Sequence, residues 1–229
     1  MSGSGFAGSG LNPLPHDEAQ AAPPRSSGRS DATAAQEPCE IAELAQELIA
    51  SRQNVSPKRL LEPGPDAAQL ARIFAAAAAA PDHGEITPWR FVIVPAAARA
   101  RLGEVFALAL TDRDPGATPE QVDEARRKAH RAPLLMLAVA RLGAADPDIP
   151  ATERLLSLGC AVQNMLLCAH SMGLGCGLTG GKALASPRMR DLFTLAEGET
   201  PVCCINIGTV VTSRAGRIRP APERFVSSL

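Results

Sequence analysis

The strongest constraint on the fold of this 229-residue chain is the segment from Thr152 to Met172, which is apolar on most faces of a helix. A surface helix carries one apolar stripe, so a helix that is apolar nearly all round must be covered from more than one side. Gly173 follows directly and closes the segment. The segment predicts a central, two-sided core helix, with apolar residues at Leu155, Leu158, Val162, Met165, Leu166 and Ala169.

Three other apolar runs predict strands that are buried on both faces. They cover Trp89 to Val94, Pro133 to Arg141 and Pro201 to Val211. Both sides of the resulting sheet should therefore be covered. Helices outnumber strands and there is no internal repeat, so we predict one α/β domain. The predicted helices cover 41–51, 66–80, 96–111, 118–132 and a short stretch after Ser186, and a short strand and loop cover 175–181.

Capping signals place the starts of three helices. Asp66 and Thr118 are each followed three residues later by a Gln, which is the pattern of a capping box. Pro119 and Pro187 stand at first helical positions, and Ser186 is the predicted N-cap of the last short helix.

Composition argues against several classes of function. The chain carries 23 basic and 24 acidic residues, whereas a nucleic-acid surface requires clustered net positive charge. No apolar run approaches the roughly 18–20 residues of a membrane span. The N-terminus also lacks the basic segment followed by an apolar segment that a secretory signal has. The six cysteines show no CxxC spacing. We therefore expect reduced thiols in a cytoplasmic protein, with no metal site, no nucleic acid and no membrane partner.

Residues 1–39 are predicted to form a disordered tail, and residues 40–229 the folded domain. The leading segment is rich in Gly, Ser, Pro and Ala, with Phe6 as its sole aromatic residue. It cannot bury enough apolar surface to offset the entropy of ordering. We assign it no chemistry.

Two polar segments are candidates for ligand binding. In Arg52-Gln53-Asn54 the Arg can bind a phosphate in a bidentate manner, and the Asn offers shorter hydrogen bonds. The alternative is a solvated helix end at which the Arg complements the helix dipole. The turn Asp82-His83-Gly84, ahead of Thr87 and Trp89, could hydrogen-bond the polar edge of a flat cofactor. The alternative is a structural role, in which the segment is a capped loop and Trp89 packs in the core.

A glycine-rich segment and a basic tail complete the candidates. Five of the nine residues from Gly173 to Gly181 are glycine, so backbone amides could approach the face of a ligand. The segment matches neither a P-loop nor a dinucleotide-binding fingerprint, and a plain turn is the alternative. Arg214, Arg217 and Arg219 could supply charge for a phosphate, or form a solvated tail.

Taken together, these features resemble the FMN-dependent nitroreductase family, in particular a small bacterial branch of NAD(P)H nitroreductases. The resemblance runs from about Glu40 to the C-terminus, and the order and spacing of its motifs are more specific than any one of them. The segments that carry it are 51–54, 61–65, 80–91, 163–165, 173–181 and 207–209.

The resemblance implies an α+β fold, a nitroreductase-like α/β sandwich whose mostly antiparallel central sheet is covered by helices. It also implies an intertwined homodimer with FMN at the subunit interface. Ala79 stands where near relatives have an Arg, which removes one FMN contact. By resemblance the cofactor-binding residues are Arg52 at the phosphate, Gln53 in place of a second Arg, Asn54 in place of a Ser, His83 near the flavin, Thr179, Gly180 and Gly181 along the cofactor, and Arg217 with Arg219 at the phosphate.

The implied activity is ping-pong oxidation of NAD(P)H, with hydride passing through flavin N5 to a nitroaromatic, a quinone or a related small-molecule acceptor. The flavin carries the hard chemistry, so no dedicated catalytic acid or base is assigned. Two alternatives remain open. One is a flavin-binding carrier or regulatory protein without turnover, and the other is a flavin enzyme that oxidises a biosynthetic intermediate.

Overall fold

A computed structural model describes residues 38–143, 148–211 and 218–229. The first helix begins at Pro38, shortly before the predicted start of the folded domain. Residues 1–37 lie outside the described residues, so the disorder of the tail stays a prediction. The helices are α1 (Pro38–Ser51), α2 (Ala67–Ala78), α3 (Ala96–Arg113), α4 (Pro119–Arg127), α5 (Ala151–Ser171) and α6 (Pro187–Leu192), and the strands are β1 (Trp89–Ile93), β2 (Leu134–Arg141), β3 (Gly175–Thr179) and β4 (Glu199–Gly208).

Local sequence signals account for the helix starts. Asp66 and Thr118 each form the predicted capping box, with side chain and backbone bonded in both directions. Ser186 accepts a hydrogen bond from the backbone N–H of Arg188, so all three predicted caps are confirmed. The predicted helix over 118–132 is shorter than expected, because α4 ends at Arg127 and a 3₁₀ turn, Lys128–His130, leads into β2.

The four strands form one sheet in the order β1-β2-β4-β3, and every neighbouring pair is antiparallel. The predicted α+β fold with an antiparallel sheet is confirmed. Alternate residues of β2 enter two different cores, so this strand is buried on both faces as its apolar run predicts. Met136 and Ala138 face α2 and α5, whereas Leu135 and Leu137 face α3 and α6.

The helix α5 buries only one side within a single chain. Leu158, Met165 and Ala169 pack against the sheet and α2. Leu155 and Leu156 on its other side are 44% and 68% exposed. The predicted cover on two sides is therefore absent from the described part of one chain, although the apolar residues for a second contact are present.

Arg99 fixes the connection between β1, α3 and β2 from inside the protein. Its guanidinium is 6% exposed and donates hydrogen bonds to the backbone oxygens of Val94, Ala129, Ala132 and Pro133. Burial lowers the pKa of this group. Because carbonyl oxygens satisfy its donors, Arg99 holds the turn that carries Lys128 and Arg131 against the sheet.

Among the described residues, no helix combines the length and hydrophobicity that crossing a bilayer requires.

Glu199 joins three strands at one end of the sheet. It is 9% exposed, and its carboxylate accepts hydrogen bonds from Arg90 at 2.6 and 2.7 Å and from the backbone N–H of Ala196 at 3.0 Å. Arg141 lies 3.7 Å away. The hydrogen bonds from Arg90 lower the pKa of Glu199 to about 2. The carboxylate is therefore charged in the folded protein at neutral pH.

We predict that Glu199→Gln lowers the free energy of unfolding at pH 7 by about 3 kcal/mol, because removing one partner of a buried pair leaves the other charge uncompensated. The pKa of Glu199 is lower in the folded state, so its stabilisation is present above the unfolded pKa of about 4.5 and is lost as pH falls towards 2. Urea unfolding at pH 7 and pH 3 measures both effects. Glu47→Gln, at an exposed position of α1 outside the described ion pairs, is the control, and equal pH dependence of wild type and Glu199→Gln would contradict the assignment.

Candidate functional site

The segment that contains Arg52 and Asn54 lies along the open edge of the sheet. Asn54 forms a parallel bridge with Cys176 of β3, and the backbone N–H of Val55 donates to the Cys176 oxygen at 2.8 Å. The side-chain oxygen of Asn54 accepts a hydrogen bond from the backbone N–H of Leu178 at 2.7 Å. Two candidate segments of the sequence, 51–54 and 173–181, are thus in direct contact.

Gly177 makes this contact possible. A Cβ atom at this position would lie 2.0 Å from the backbone oxygen of Val55 and 3.1 Å from its carbonyl carbon. Only glycine lets the two backbones approach so closely. The glycines at 180 and 181 differ, because a Cβ there would meet no atom within 4 Å. The loop after β3 therefore exposes open backbone.

The C-terminal tail brings a second Arg to the same place. The Arg219 guanidinium donates to the backbone oxygen of Arg52 at 2.7 Å and lies 3.5 Å from that of Ala50. Neither Arg52 nor Arg219 forms an ion pair with any residue that the structure describes. Arg217 lies outside the described residues. The two guanidinium groups provide positive charge that an anion can neutralise.

The loop after β3 also forms one wall of a cavity of about 260 Å³. Thr179, Gly180 and Gly181 line it from this side. The cavity also has an apolar surface and a basic rim, and its lining contains no Asp or Glu among the described residues. The apolar part includes Phe106, Leu110, Leu135 and Leu184, and the basic side chains are Arg113, Lys128, Arg131 and Lys182.

One of the four basic side chains around the cavity is compensated by a carboxylate. Arg131 is ion-paired with Glu124, which also contacts Lys58 at 2.9 Å and Arg127 at 3.2 Å. Lys58, with Arg131 and Arg127, lowers the pKa of Glu124 to about 2. Within the described ranges, Arg113, Lys128 and Lys182 form no ion pair.

Asn206 is the polar residue at the base of the cavity and is 2% exposed. Its amide nitrogen donates to the Thr179 hydroxyl at 3.0 Å and to the Gly177 oxygen at 3.2 Å. It therefore fixes the start of the loop. Sequence reasoning did not single out Asn206 or the cavity cations. The available signal was one polar residue inside the apolar run from Val202 to Ile207.

The thiols near the site are neutral. Burial raises the pKa of Cys204, which lines the cavity, to about 12. Burial also raises the pKa of Cys176 to about 11, against the opposing charge of Arg52. A thiol with such a pKa is a weak nucleophile at neutral pH. No group of three or more His, Cys, Asp or Glu in the described part of the chain has a geometry that could hold a metal ion.

The turn with His83 lies far from Arg52 within one chain. His83 Nδ1 is 2.8 Å from Glu153 Oε2, in the first turn of α5. Ser51 Oγ, beside Arg52, is 2.8 Å from His170 Nε2, in the last turn of the same helix. At 1.5 Å per residue, α5 separates the two places by roughly 25 Å. One chain therefore brings Arg52, Asn54 and Arg219 to the edge of β3, with Asn54 bonded to Leu178 just before the 179–181 loop, but it does not bring His83 there.

The His83 turn has a left-handed backbone at its glycine. Gly84 has φ of 74°, in the left-handed region that glycine favours. Asp82 closes the turn by accepting a hydrogen bond from the Thr87 backbone N–H at 2.7 Å. Trp89 is buried in the core, so it does not face a ligand within one chain. Ala79 ends α2 and is exposed.

The comparisons with known proteins agree on one family. A family model described as the nitroreductase family matches residues 51–209. A "Putative NAD(P)H nitroreductase" of Haemophilus influenzae is 33% identical over 162 residues, which are 71% of this chain and 86% of that protein. "Putative NAD(P)H nitroreductase YdjA" of Escherichia coli K12 is 32% identical over 184 residues, which are 80% of this chain and 98% of that protein.

Solved structures with the same fold have lower sequence identity. A nitroreductase-like family protein from Bacillus cereus superposes with a TM-score of 0.69 at 17% identity, over 80% of this chain and 95% of that one. A nitroreductase with bound FMN from Desulfitobacterium hafniense gives a TM-score of 0.57 at 18% identity, over 80% and 97% of the two chains. At such identities the likeness establishes the fold alone.

We predict that Gly177→Ala separates residues 53–55 from β3 and lowers the melting temperature, because its Cβ would overlap the Val55 oxygen. Hydrogen exchange at the Val55 amide should become faster, since this amide bonds to Cys176. Gly180→Ala is the matched control in the same loop and should change neither measurement. Unchanged protection of the Val55 amide in Gly177→Ala would contradict the close approach.

Proposed function

This chain belongs to the nitroreductase family, and on that premise we propose that it is an FMN-dependent oxidoreductase that oxidises NAD(P)H and reduces a nitroaromatic, a quinone or a related acceptor. The observation that carries the proposal is the pair Arg52 and Arg219, two guanidinium groups without a carboxylate partner among the described residues, next to the place where Asn54 docks on β3. Two relatives are described as NAD(P)H nitroreductases, one fold neighbour contains FMN, and another is described as FMN- and NADPH-dependent.

The residues present fit FMN. Its phosphate is an anion that guanidinium groups bind with charge-assisted hydrogen bonds, which Arg52 and Arg219 can supply. Its ring system is flat, and the open backbone at Gly180 and Gly181 leaves room for such a group. Gln53 and Asn54 add polar groups next to Arg52. We therefore propose that these residues, with Thr179 and Arg217, hold the cofactor.

Bound FMN would supply the redox chemistry by accepting hydride from NAD(P)H and giving two electrons to the acceptor. For a nitro compound the overall reaction consumes one NAD(P)H and one proton, and yields NAD(P)⁺, the nitroso compound and water. The protein would bind and orient FMN and supply positive charge for its phosphate. Arg52 and Arg219 anchor the anionic end, while Asn206 fixes the loop by its bond to Thr179. The neutral thiols of Cys176 and Cys204 take no covalent part.

We also propose that the working unit is a homodimer. One chain leaves the His83 turn roughly 25 Å from Arg52, so a site that uses both must take them from two copies. Exposed apolar side chains on α1 and α5 provide the surface for such a contact. Ile41, Leu44 and Ile49 on α1 are all more than half exposed, and Leu156 on α5 is 68% exposed.

The first experiment reconstitutes the purified chain with FMN and mixes it with NADH or NADPH without oxygen. We expect the flavin absorption band to bleach, and a nitroaromatic to restore it. Arg52→Ala with Arg219→Ala should weaken FMN binding, because a hydrogen bond to a charged group contributes about 1.5–3 kcal/mol. Titration of FMN fluorescence measures the affinity.

Arg224→Ala, also in the C-terminal tail, is the control and should bind FMN like the wild type. Bound FMN that neither nucleotide bleaches would overturn the oxidoreductase and leave a flavin carrier. Equal FMN affinity in the double variant and the wild type would show that the phosphate is held by other residues.

The second experiment tests whether one site draws on two copies. Arg52→Glu places a negative charge beside the expected phosphate, and His83→Glu places one beside the expected flavin ring. Each variant alone should bind FMN weakly. After the two are unfolded together and refolded, half of the dimers are mixed and each carries one intact site. We therefore expect about a quarter of the FMN sites to recover.

Each variant refolded alone is the control and should recover no sites. If the mixture also recovers none, Arg52 and His83 do not meet across a dimer. Normal FMN binding by His83→Glu alone would remove His83 from the cofactor site.

A further inference from the structure

The cavity beside the 179–181 loop has more positive charge than its own surroundings neutralise. Arg113, Lys128 and Lys182 reach it from α3, from the turn before β2 and from the loop after β3. None of the three forms an ion pair with a described residue, and no acidic residue of the described chain lines the cavity. Arg52 and Arg219 are the groups proposed for the FMN phosphate, so the cavity cations remain available to another anion.

The size of the cavity limits what that anion can be. Its volume of about 260 Å³ is below the roughly 300–1,000 Å³ of pockets that enclose drug-sized ligands. It therefore has room for one substituted ring rather than for a whole FMN. Phe106, Leu110 and Leu135 give it an apolar surface that suits an aromatic ring.

A second, independent observation comes from the base of the cavity. Asn206 is almost fully buried, and its amide nitrogen bonds to Thr179, Gly177 and Cys204. The Thr179 hydroxyl and the Asn206 amide are thus polar groups held in fixed positions at this end of the lining, where a hydroxyl or amino group on a bound ring can form a hydrogen bond.

We propose that this cavity binds the ring of an aromatic carboxylic acid, and that the enzyme therefore prefers anionic aromatic electron acceptors to their neutral isosteres. Arg113 and Lys182 are the specificity-determining residues, because both line the cavity and neither forms an ion pair with a described residue. The acceptor role rests on the proposed function, whereas binding of the acid does not.

Calorimetry on the FMN-loaded full chain tests binding with a ligand that cannot be reduced. The wild type should bind 4-hydroxybenzoate more tightly than 4-hydroxybenzamide, which has the same shape without the charge. Arg113→Gln with Lys182→Gln should raise the dissociation constant for the acid at least about tenfold, because charge-assisted hydrogen bonds are lost. The affinity for the amide should change little. Arg113 and Lys182 are both exposed, so the fold should survive.

Steady-state kinetics with NADPH test the acceptor role in the same variants. The ratio of kcat/KM for 4-nitrobenzoate to that for 4-nitrobenzamide should be high in the wild type and fall by about tenfold or more in the double variant. Arg101→Gln removes an exposed charge from the same helix, α3, at a position outside the cavity lining, and should leave the ratio unchanged.

Each result separates the two proposals. Equal binding of acid and amide by the wild type, or an unchanged ratio in the double variant, overturns the preference for anions while NADPH oxidation still supports the oxidoreductase. If NADPH reduces no bound FMN, the proposed function fails, and the calorimetry alone still decides whether the cavity binds aromatic acids.

Discussion

The contact between Asn54-Val55 and strand β3 is the interaction on which the candidate site depends. Gly177 has no side chain, so the Val55 oxygen can approach a strand that would otherwise form the free edge of the sheet. Asn54 then bonds to Leu178 through its side chain, just before the loop at 179–181. Arg52 directly precedes this segment, which is held against β3 by its bonds to Cys176 and Leu178, and Arg219 donates a hydrogen bond to the Arg52 backbone oxygen. The backbone position of Arg52 is thus set by the close approach of two main chains.

Sequence reasoning predicted the parts of this structure that local chemistry determines. The capping boxes at Asp66 and Thr118 follow from side chains that bond within three residues, and the apolar run of β2 follows from burial on both faces. The antiparallel order and the family came from the resemblance, since periodicity does not specify which strands pair. The cavity cations could not be found in this way, because Arg113, Lys128 and Lys182 come together only through the tertiary fold. The distance of His83 from Arg52 likewise appears only once α5 is seen to separate them.

Two sets of basic side chains in this chain have different consequences. Arg90, Arg126, Arg131 and Arg188 each face a carboxylate, and Arg99 is satisfied by backbone oxygens. These groups connect secondary-structure elements and leave little field outside the protein. Arg113, Lys128 and Lys182 have no such partner among the described residues and line the cavity beside the loop after β3. Arg52 and Arg219 also have no carboxylate partner there, and they lie next to the place where Asn54 docks on β3. A chain that is nearly neutral by composition therefore presents positive charge both at the cavity and at the Arg52–Arg219 pair, which is how binding sites attract anions.

The length of α5 has a consequence for how this protein can change over evolution. The helix is a rigid spacer, with the His83 turn against its first turn and Ser51, next to Arg52, against its last. Surface loops tolerate insertions because their ends can stay where they are. An insertion of one helical turn in α5 would instead move these two places apart by about 5.4 Å along the helix axis. Length variation should therefore accumulate in the connections around this helix, while the number of residues between Glu153 and His170 stays constant.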